Sequence, residues 1–160
     1  MKKIFILATL VLMCQTVVFA QKMKTVKESD VPMRYVKDFQ NQAKQAQNVT
    51  WTMTADSVVF MATFNTVDGD KQAIRFSPKS TETRYYVESK YYPHAIMDTI
   101  AHLYPKYKVQ EIYIRSLKGK MTYQAAIARV KGFLFWRKTV DPKTVSFETD
   151  GKLIEAIDEQ

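Results

Sequence analysis

The chain has 160 residues, with 24 lysines and arginines against 16 aspartates and glutamates, so its formal net charge is +8. A single cysteine excludes a framework of disulfides within the chain, and the four glycines form neither a Walker-type loop nor a dinucleotide-binding fingerprint. The positive excess favours acidic partners, such as anionic lipid head groups, polyanionic glycans or acidic protein surfaces.

Residues 1–20 have the pattern of a cleaved secretory signal peptide. Lys2 and Lys3 form a positively charged n-region, residues 4–13 form an apolar segment, and Ala20 precedes the expected cleavage site. The apolar segment is shorter than the roughly 20 residues that a membrane-spanning helix needs. We therefore expect the secretion machinery and signal peptidase to be the first partners of the chain.

Cleavage before Gln21 would leave 140 residues with a formal charge of +6 and no thiol, because the only cysteine is Cys14. A lipid anchor on Cys14 would need a small residue before it, and Met13 argues against such an anchor. The expected location is the periplasm or the outside of the cell. Nucleic acid is not an expected partner there, and a domain without disulfides must be held together by its core.

The first part of the chain predicts one helix followed by short strands. Residues 21–30 lack periodicity and predict a flexible lead-in. From Pro32, apolar residues recur at spacings of three and four, which predicts an amphipathic helix over about residues 32–46. Runs rich in β-formers then predict strands over 49–54, 57–64, 71–77 and 81–89.

The pattern then restarts. Pro93 begins a second amphipathic segment, and a shift of 61 residues superposes Pro32 on Pro93 and Trp51 on Ile112. Phe76 corresponds to Phe147 only after a shift of 71 residues, which indicates about ten extra residues in a longer second hairpin. The strands predicted here cover 109–116, 121–130, 133–140, 144–149 and 153–157, with turns near residues 131–132 and 141–143.

These elements predict an α+β fold built from two tandem helix-plus-antiparallel-meander units, at residues 31–90 and 91–160. Each helix has a single apolar stripe, so both helices are expected to pack on one face of the sheet and to leave the other face free. Whether the two units share one continuous sheet stays open.

Several short motifs carry a family resemblance. They are Val31–Pro32 before the first helix, Val49–Trp51 at a strand, Leu103–Pro105 at the end of the second helix, and Phe147–Leu153 with its Asp150–Gly151 turn. On these motifs, residues 30–158 resemble the PepSY-like, β-lactamase-inhibitor-like domains found as small secreted proteins in Bacteroides-type bacteria. The resemblance implies a fold like that of inhibitors that grip an enzyme on a concave sheet, and an association with peptidase inhibition or regulation.

Candidates for catalysis are few. His94, Asp98 and His102 lie four residues apart on the second helix, opposite its apolar stripe, where they predict a polar helix face rather than a shielded zinc site. Asp68 and Asp70 flank Gly69, as is typical of a hairpin turn. The sequence predicts no catalytic residue, no cofactor and no metal site.

Aromatic and arginine side chains are the better candidates for a site. Tyrosine, tryptophan and arginine are the side chains that binding surfaces favour. Neighbours in a strand point to opposite faces, so one member of the Tyr85–Tyr86 pair should face away from the helices. The candidate partner-binding residues are Arg84, Tyr86, Tyr91, Tyr92, Phe133, Trp136 and Arg137.

Two classes of function stay open. The first is an exported non-enzymatic module that binds a protein or peptide through a sheet face, as an inhibitor or regulator. The second is an envelope protein held to anionic lipid or glycan by its positive charge. If the aromatic residues are instead buried in the core or between copies of the chain, no aromatic surface is left for another partner.

Overall fold

The computed structural model describes residues 23–132 and 138–158. Within them are two α-helices, α1 (Met33–Gln42) and α2 (His94–Leu103), and two 3-10 helices at Glu28–Asp30 and Ser89–Tyr91. The strands are β1 (Lys24–Val26), β2 (Gln47–Met53), β3 (Phe60–Asn65), β4 (Lys71–Phe76), β5 (Thr81–Val87), β6 (Lys108–Leu117), β7 (Lys120–Lys131), β8 (Lys138–Phe147) and β9 (Leu153–Asp158). No helix in the described ranges is long and apolar enough to span a membrane.

The nine strands form one antiparallel sheet in which each strand pairs with the next along the chain. The predicted α+β fold of two helix-plus-meander units is therefore wrong, because the protein is a single sheet-rich structure with two short helices. The backbone hydrogen bonds run on through the junction of the predicted units, where Tyr86 of β5 pairs with Tyr113 of β6. Periodicity within each segment could not reveal this pairing, since it depends on partners distant in sequence.

Both helices cover the same face of the sheet. Ile74 of β4 is paired with Thr83 of β5, which is paired with Ser116 of β6, so these three side chains lie on one face of the sheet. Ile112 lies four residues before Ser116 in β6, and alternation along the strand places it on the same face. Ile74 belongs to the core under α1, and Ile112 belongs to the core under α2. The opposite face, called the free face below, has neither helix on it.

The core under α1 is aromatic. Tyr35 and Phe39 are buried on the inner side of the helix, and their rings meet those of the strands. The ring of Tyr35 stacks on Phe76 with centroids 5.2 Å apart, and Phe39 meets Trp51 edge-on at 5.3 Å. Such ring pairs add roughly 0.5–1.5 kcal/mol each beyond their buried area, so this packing fixes the position of the helix.

The core under α2 is mainly aliphatic. Ile96 and Ile100 of the helix pack with Ile112, Ile127 and other side chains of β6, β7 and β8. Phe147 is fully buried there, as Phe76 is under α1. A second helix of the same length thus rests on the same sheet through a different set of side chains.

Backbone features of the two halves share the 61-residue spacing. The two 3-10 helices begin 61 residues apart, and so do α1 and α2. The residues that follow α1 and α2 have nearly the same dihedral angles, φ −127° and ψ 56° at Ala43 and φ −128° and ψ 56° at Tyr104. The pairing of Val26 with Trp51 is likewise matched by that of Val87 with Ile112.

Three local predictions need correction. The expected flexible lead-in contains β1 and a 3-10 helix, because a strand of three residues is too short to show alternation. The helix predicted over 32–46 ends at Gln42. The predicted turn at 141–143 lies inside β8, where Asp141 has φ +54° near a register shift, so extra residues are absorbed as a bulge.

Gly151 fixes the β8–β9 turn against α2. Its φ is +90°, and a Cβ there would lie 2.8 Å from the Cβ of Ala95. We expect Gly151→Ala to destabilise the protein by about 2–5 kcal/mol, since a left-handed residue with a Cβ costs about 1–2 kcal/mol and overpacking costs about 1–3 kcal/mol more. Urea unfolding followed by tryptophan fluorescence would measure the change.

Gly69→Ala is the matched control. Gly69 has φ +91°, but a Cβ added there would meet no other atom within 4 Å, so this variant should show the dihedral cost alone. Equal losses in the two variants would contradict the contact between the turn and α2.

Candidate functional site

The middle strands place a group of arginines on the free face. Arg75 of β4 is paired in register with Glu82 of β5, and Arg84 of β5 is paired with Arg115 of β6. These four residues are called the arginine cluster below. They point away from both helices, because their neighbours along the strands face the helix side.

Glu82 is the buried centre of the arginine cluster. It is 3% exposed, and its carboxylate accepts hydrogen bonds from the Nε atoms of Arg84 at 2.7 Å and Arg115 at 2.8 Å. Burial by itself would raise the pKa of Glu82, but the two adjacent arginines outweigh burial, and the pKa of Glu82 is lowered. The carboxylate is therefore ionised and tied to two strands at once.

Arg75 has no such partner. Its side chain makes no hydrogen bond and no ion pair with the described residues, although it is opposite Glu82 in the sheet and half-buried. Burial lowers the pKa of Arg75, and the charges of Arg84 and Arg115 act in the same direction, while the charge of Glu82 opposes them. Since an arginine stays protonated in proteins, the cluster holds three guanidinium charges against one carboxylate.

Two tyrosines extend the arginine cluster along β5 and β6. The rings of Tyr86 and Tyr113 lie 5.6 Å apart, and the guanidinium of Arg84 lies 4.8 Å from the ring centre of Tyr113. The ammonium of Lys71 lies 4.0 Å from the ring centre of Tyr86. Burial raises the pKa of Tyr113 to about 12, so both its ring and its hydroxyl act as neutral groups. Cations over aromatic rings are favourable and orient these long side chains.

Side chains of the free face are buried although neither α1 nor α2 lies on them. Ala73 is fully buried, and Tyr113, Gln124 and Ser146 are each less than a tenth exposed. Ser146 of β8 donates a hydrogen bond to Gln124 of β7 at 3.2 Å. The face is therefore a packed layer of its own side chains, which holds the arginines and tyrosines in fixed positions.

The structure brings together some of the residues singled out from the sequence. Arg84 and Tyr86 share the free face, and Tyr86 and Tyr91 both line a surface depression of about 260 Å³. Tyr85 lies on the helix side, and Tyr92 packs against the core under α2. Phe133, Trp136 and Arg137 lie outside the described residues, so their part in a site stays a prediction.

Sequence reasoning missed Arg75, Tyr113 and Arg115. One signal was available, since arginine and tyrosine occur two residues apart at Arg84–Tyr86 and again at Tyr113–Arg115. That spacing puts both side chains of each pair on one face of a strand. Only the register of β5 with β6 shows that the two pairs meet.

A second charged cluster lies on the helix side at the bulge of β8. The hydroxyl of Tyr107 donates to Asp141, and the guanidinium of Arg129 reaches the same carboxylate at 2.8 Å. The hydrogen bond from Tyr107 lowers the pKa of Asp141. This cluster ties the bulge to the segment after α2.

The described residues contain no group of three or more histidine, cysteine, aspartate or glutamate side chains that could hold a metal. His94, Asp98 and His102 are exposed along α2, as their helical spacing predicts. The arrangement on the free face offers hydrogen-bond donors, ring faces and positive charge, which are the means of binding an acidic partner.

No protein-family model matches the chain, and no curated protein sequence matches it. The PepSY-like resemblance therefore stays an expectation that rests on the sequence motifs. The free face is the part of the described structure whose geometry and chemistry bear on function.

We expect Glu82→Gln to destabilise the protein at neutral pH. Removing the buried carboxylate leaves its two bound arginines uncompensated, and we expect a loss of about 2 kcal/mol, below the roughly 3–5 kcal/mol of fully buried pairs because Arg84 and Arg115 still reach solvent. Urea unfolding at pH 7 would measure this loss.

The pH dependence provides the control for Glu82→Gln. The folded-state pKa of Glu82 is lowered, so its stabilisation is present above its unfolded pKa, about 4.3, and is lost as the pH falls through the folded value. The difference between wild type and variant should therefore shrink below about pH 4. A difference that is constant from pH 7 to pH 3 would contradict an ionised Glu82.

Proposed function

We propose that this protein is an exported, non-enzymatic binding module that inhibits or regulates a protein partner through the free face of its sheet. One observation carries the proposal: Arg84, Tyr86 and Arg115, backed by the buried ring of Tyr113, form an aromatic and arginine surface on a face that neither α1 nor α2 covers. The predicted signal peptide supports export, and the PepSY-like resemblance supports a regulatory partner.

The composition of this surface favours a protein over a small substrate. Tyrosine and arginine combine a large contact area with polar ends, and both are enriched where binding energy is concentrated. Their contacts within the sheet hold them in place before binding, which reduces the entropy lost on association. Binding would block the partner sterically, with no covalent step.

Positive charge alone would also hold the protein to anionic lipid or glycan. Attraction of that kind depends on charge rather than on particular rings, and it is screened by salt over a Debye length of about 8–10 Å at physiological ionic strength. Attachment to lipid or glycan by charge should therefore weaken steeply with salt and not depend on one tyrosine. Binding of a protein through the free face should depend on Tyr86.

We expect Tyr86→Ala to weaken binding to the partner by at least about fivefold, since truncation of a central interface tyrosine commonly costs more than about 1 kcal/mol. The partner would first be identified by crosslinking the exported protein in cells that produce it, followed by mass spectrometry. Its purified form would then be titrated by calorimetry with each variant.

Tyr85→Ala is the matched control, because Tyr85 is the next residue in β5 and alternation along the strand turns its side chain to the helix side, although it also borders the depression that Tyr86 lines. It should bind as the wild type does. Tyr86→Leu keeps an apolar side chain and guards against loss of folding, which circular dichroism would check.

Equal effects of the Tyr85 and Tyr86 variants would contradict binding through the free face. So would retention only by anionic vesicles, with steep loss in salt and no effect of Tyr86→Ala. That result would instead support an envelope protein held to lipid.

A further inference from the structure

The arginine cluster carries more positive charge than folding requires. Arg84 and Arg115 are directly opposite each other on adjacent strands, an arrangement of like charges that destabilises a sheet. Glu82 offsets this repulsion by binding both. Arg75 adds a third positive charge to the same patch; the charge of Glu82 attracts it, but it forms no hydrogen bond or ion pair with the described residues.

Arg75 is held close to the others by the sheet itself. Its cross-strand partners are Glu82 of β5 and Met61 of β3, and its neighbour along the free face of β4 is Ala73, so Glu82 is the one acidic side chain among these three. The guanidinium therefore has donors to spare beside two arginines whose Nε atoms are already used. A second carboxylate, beside that of Glu82, is the group that this geometry can still accept.

We propose that Arg75, beside Arg84 and Arg115, binds an aspartate or glutamate side chain from an acidic segment of a partner protein. This rests on the proposed function and names the chemistry of its partner. Glu82 already shows how the cluster takes a carboxylate, with two guanidinium groups around one acid. A second carboxylate from outside would complete the pairing that Arg75 lacks.

The depth of the arginine cluster favours a protein side chain over a membrane surface. The side chains of Arg84 and Arg115 are only 22% and 33% exposed, and β4, β5 and β6 are the central strands of nine. The carboxylate of an aspartate or glutamate side chain can reach these partly buried arginines. A membrane surface would instead contact the side chains that protrude most from the protein. Lys71 is half exposed but already lies near Glu111 at 3.8 Å.

The test uses a fluorescent acidic peptide with alternating glutamate and alanine, acetylated and amidated at its ends so that only side-chain carboxylates are present. Fluorescence anisotropy at low salt would give its affinity for the protein produced with its own signal sequence. We expect Arg75→Gln to weaken binding about tenfold, the loss of one charge-assisted hydrogen bond. A peptide with glutamine in place of glutamate should not bind.

Lys37→Gln is the matched control. It removes the same charge from an exposed position on α1, on the helix side of the sheet, so it should change the affinity less than about twofold if the charge acts only at long range. Arg75→Gln should also leave the midpoint of thermal unfolding nearly unchanged, because it breaks no hydrogen bond or ion pair and removes the attraction to Glu82 together with the repulsion from Arg84 and Arg115.

Three results would overturn the proposal. They are equal weakening of peptide binding by Arg75→Gln and Lys37→Gln, a marked loss of stability in Arg75→Gln, or binding to anionic vesicles that depends on Arg75 while peptide binding does not.

Titration of the identified partner with the Tyr86 and Arg75 variants separates this inference from the proposed function. Dependence on Tyr86 without dependence on Arg75 would leave the free face as the binding surface and remove only the carboxylate site.

Discussion

The pairing of β5 with β6 is the constraint on which the rest of the structure depends. It joins the two halves of the chain into one hydrogen-bonded sheet, so alternation along every strand refers to the same two faces. Both helices are thereby placed on one side. The arginine cluster exists only across this junction, since Arg75, Glu82 and Arg84 come from one half and Arg115 comes from the other.

The two faces of the sheet are packed by different means. The helix side buries rings under α1 and aliphatic side chains under α2, which are ordinary core contacts. The free face is packed by cross-strand contacts among polar and aromatic side chains, such as Ser146 with Gln124 and Tyr86 with Tyr113. These contacts order the second layer without help from α1 or α2, which is what a preorganised binding surface requires.

The buried carboxylate of Glu82 explains why so many cations can lie together. Burying a charge is costly unless it is paired, and Glu82 is paired twice. The same carboxylate cannot neutralise three arginines. The cluster thus keeps local repulsion that folding alone gives no reason to retain, as proteins commonly do where a surface serves a ligand.

The sequence by itself determined the helices near Pro32 and Pro93, most strand positions, the turn glycines and the opposite directions of Tyr85 and Tyr86, because these follow from local periodicity and backbone sterics. Only the tertiary structure decided that nine strands form one sheet, that β1 precedes the first helix, and that Arg75 and Arg115 join Arg84 and Tyr86. Register between strands is set by long-range packing and hydrogen bonding, and it leaves no mark in any single segment of the chain.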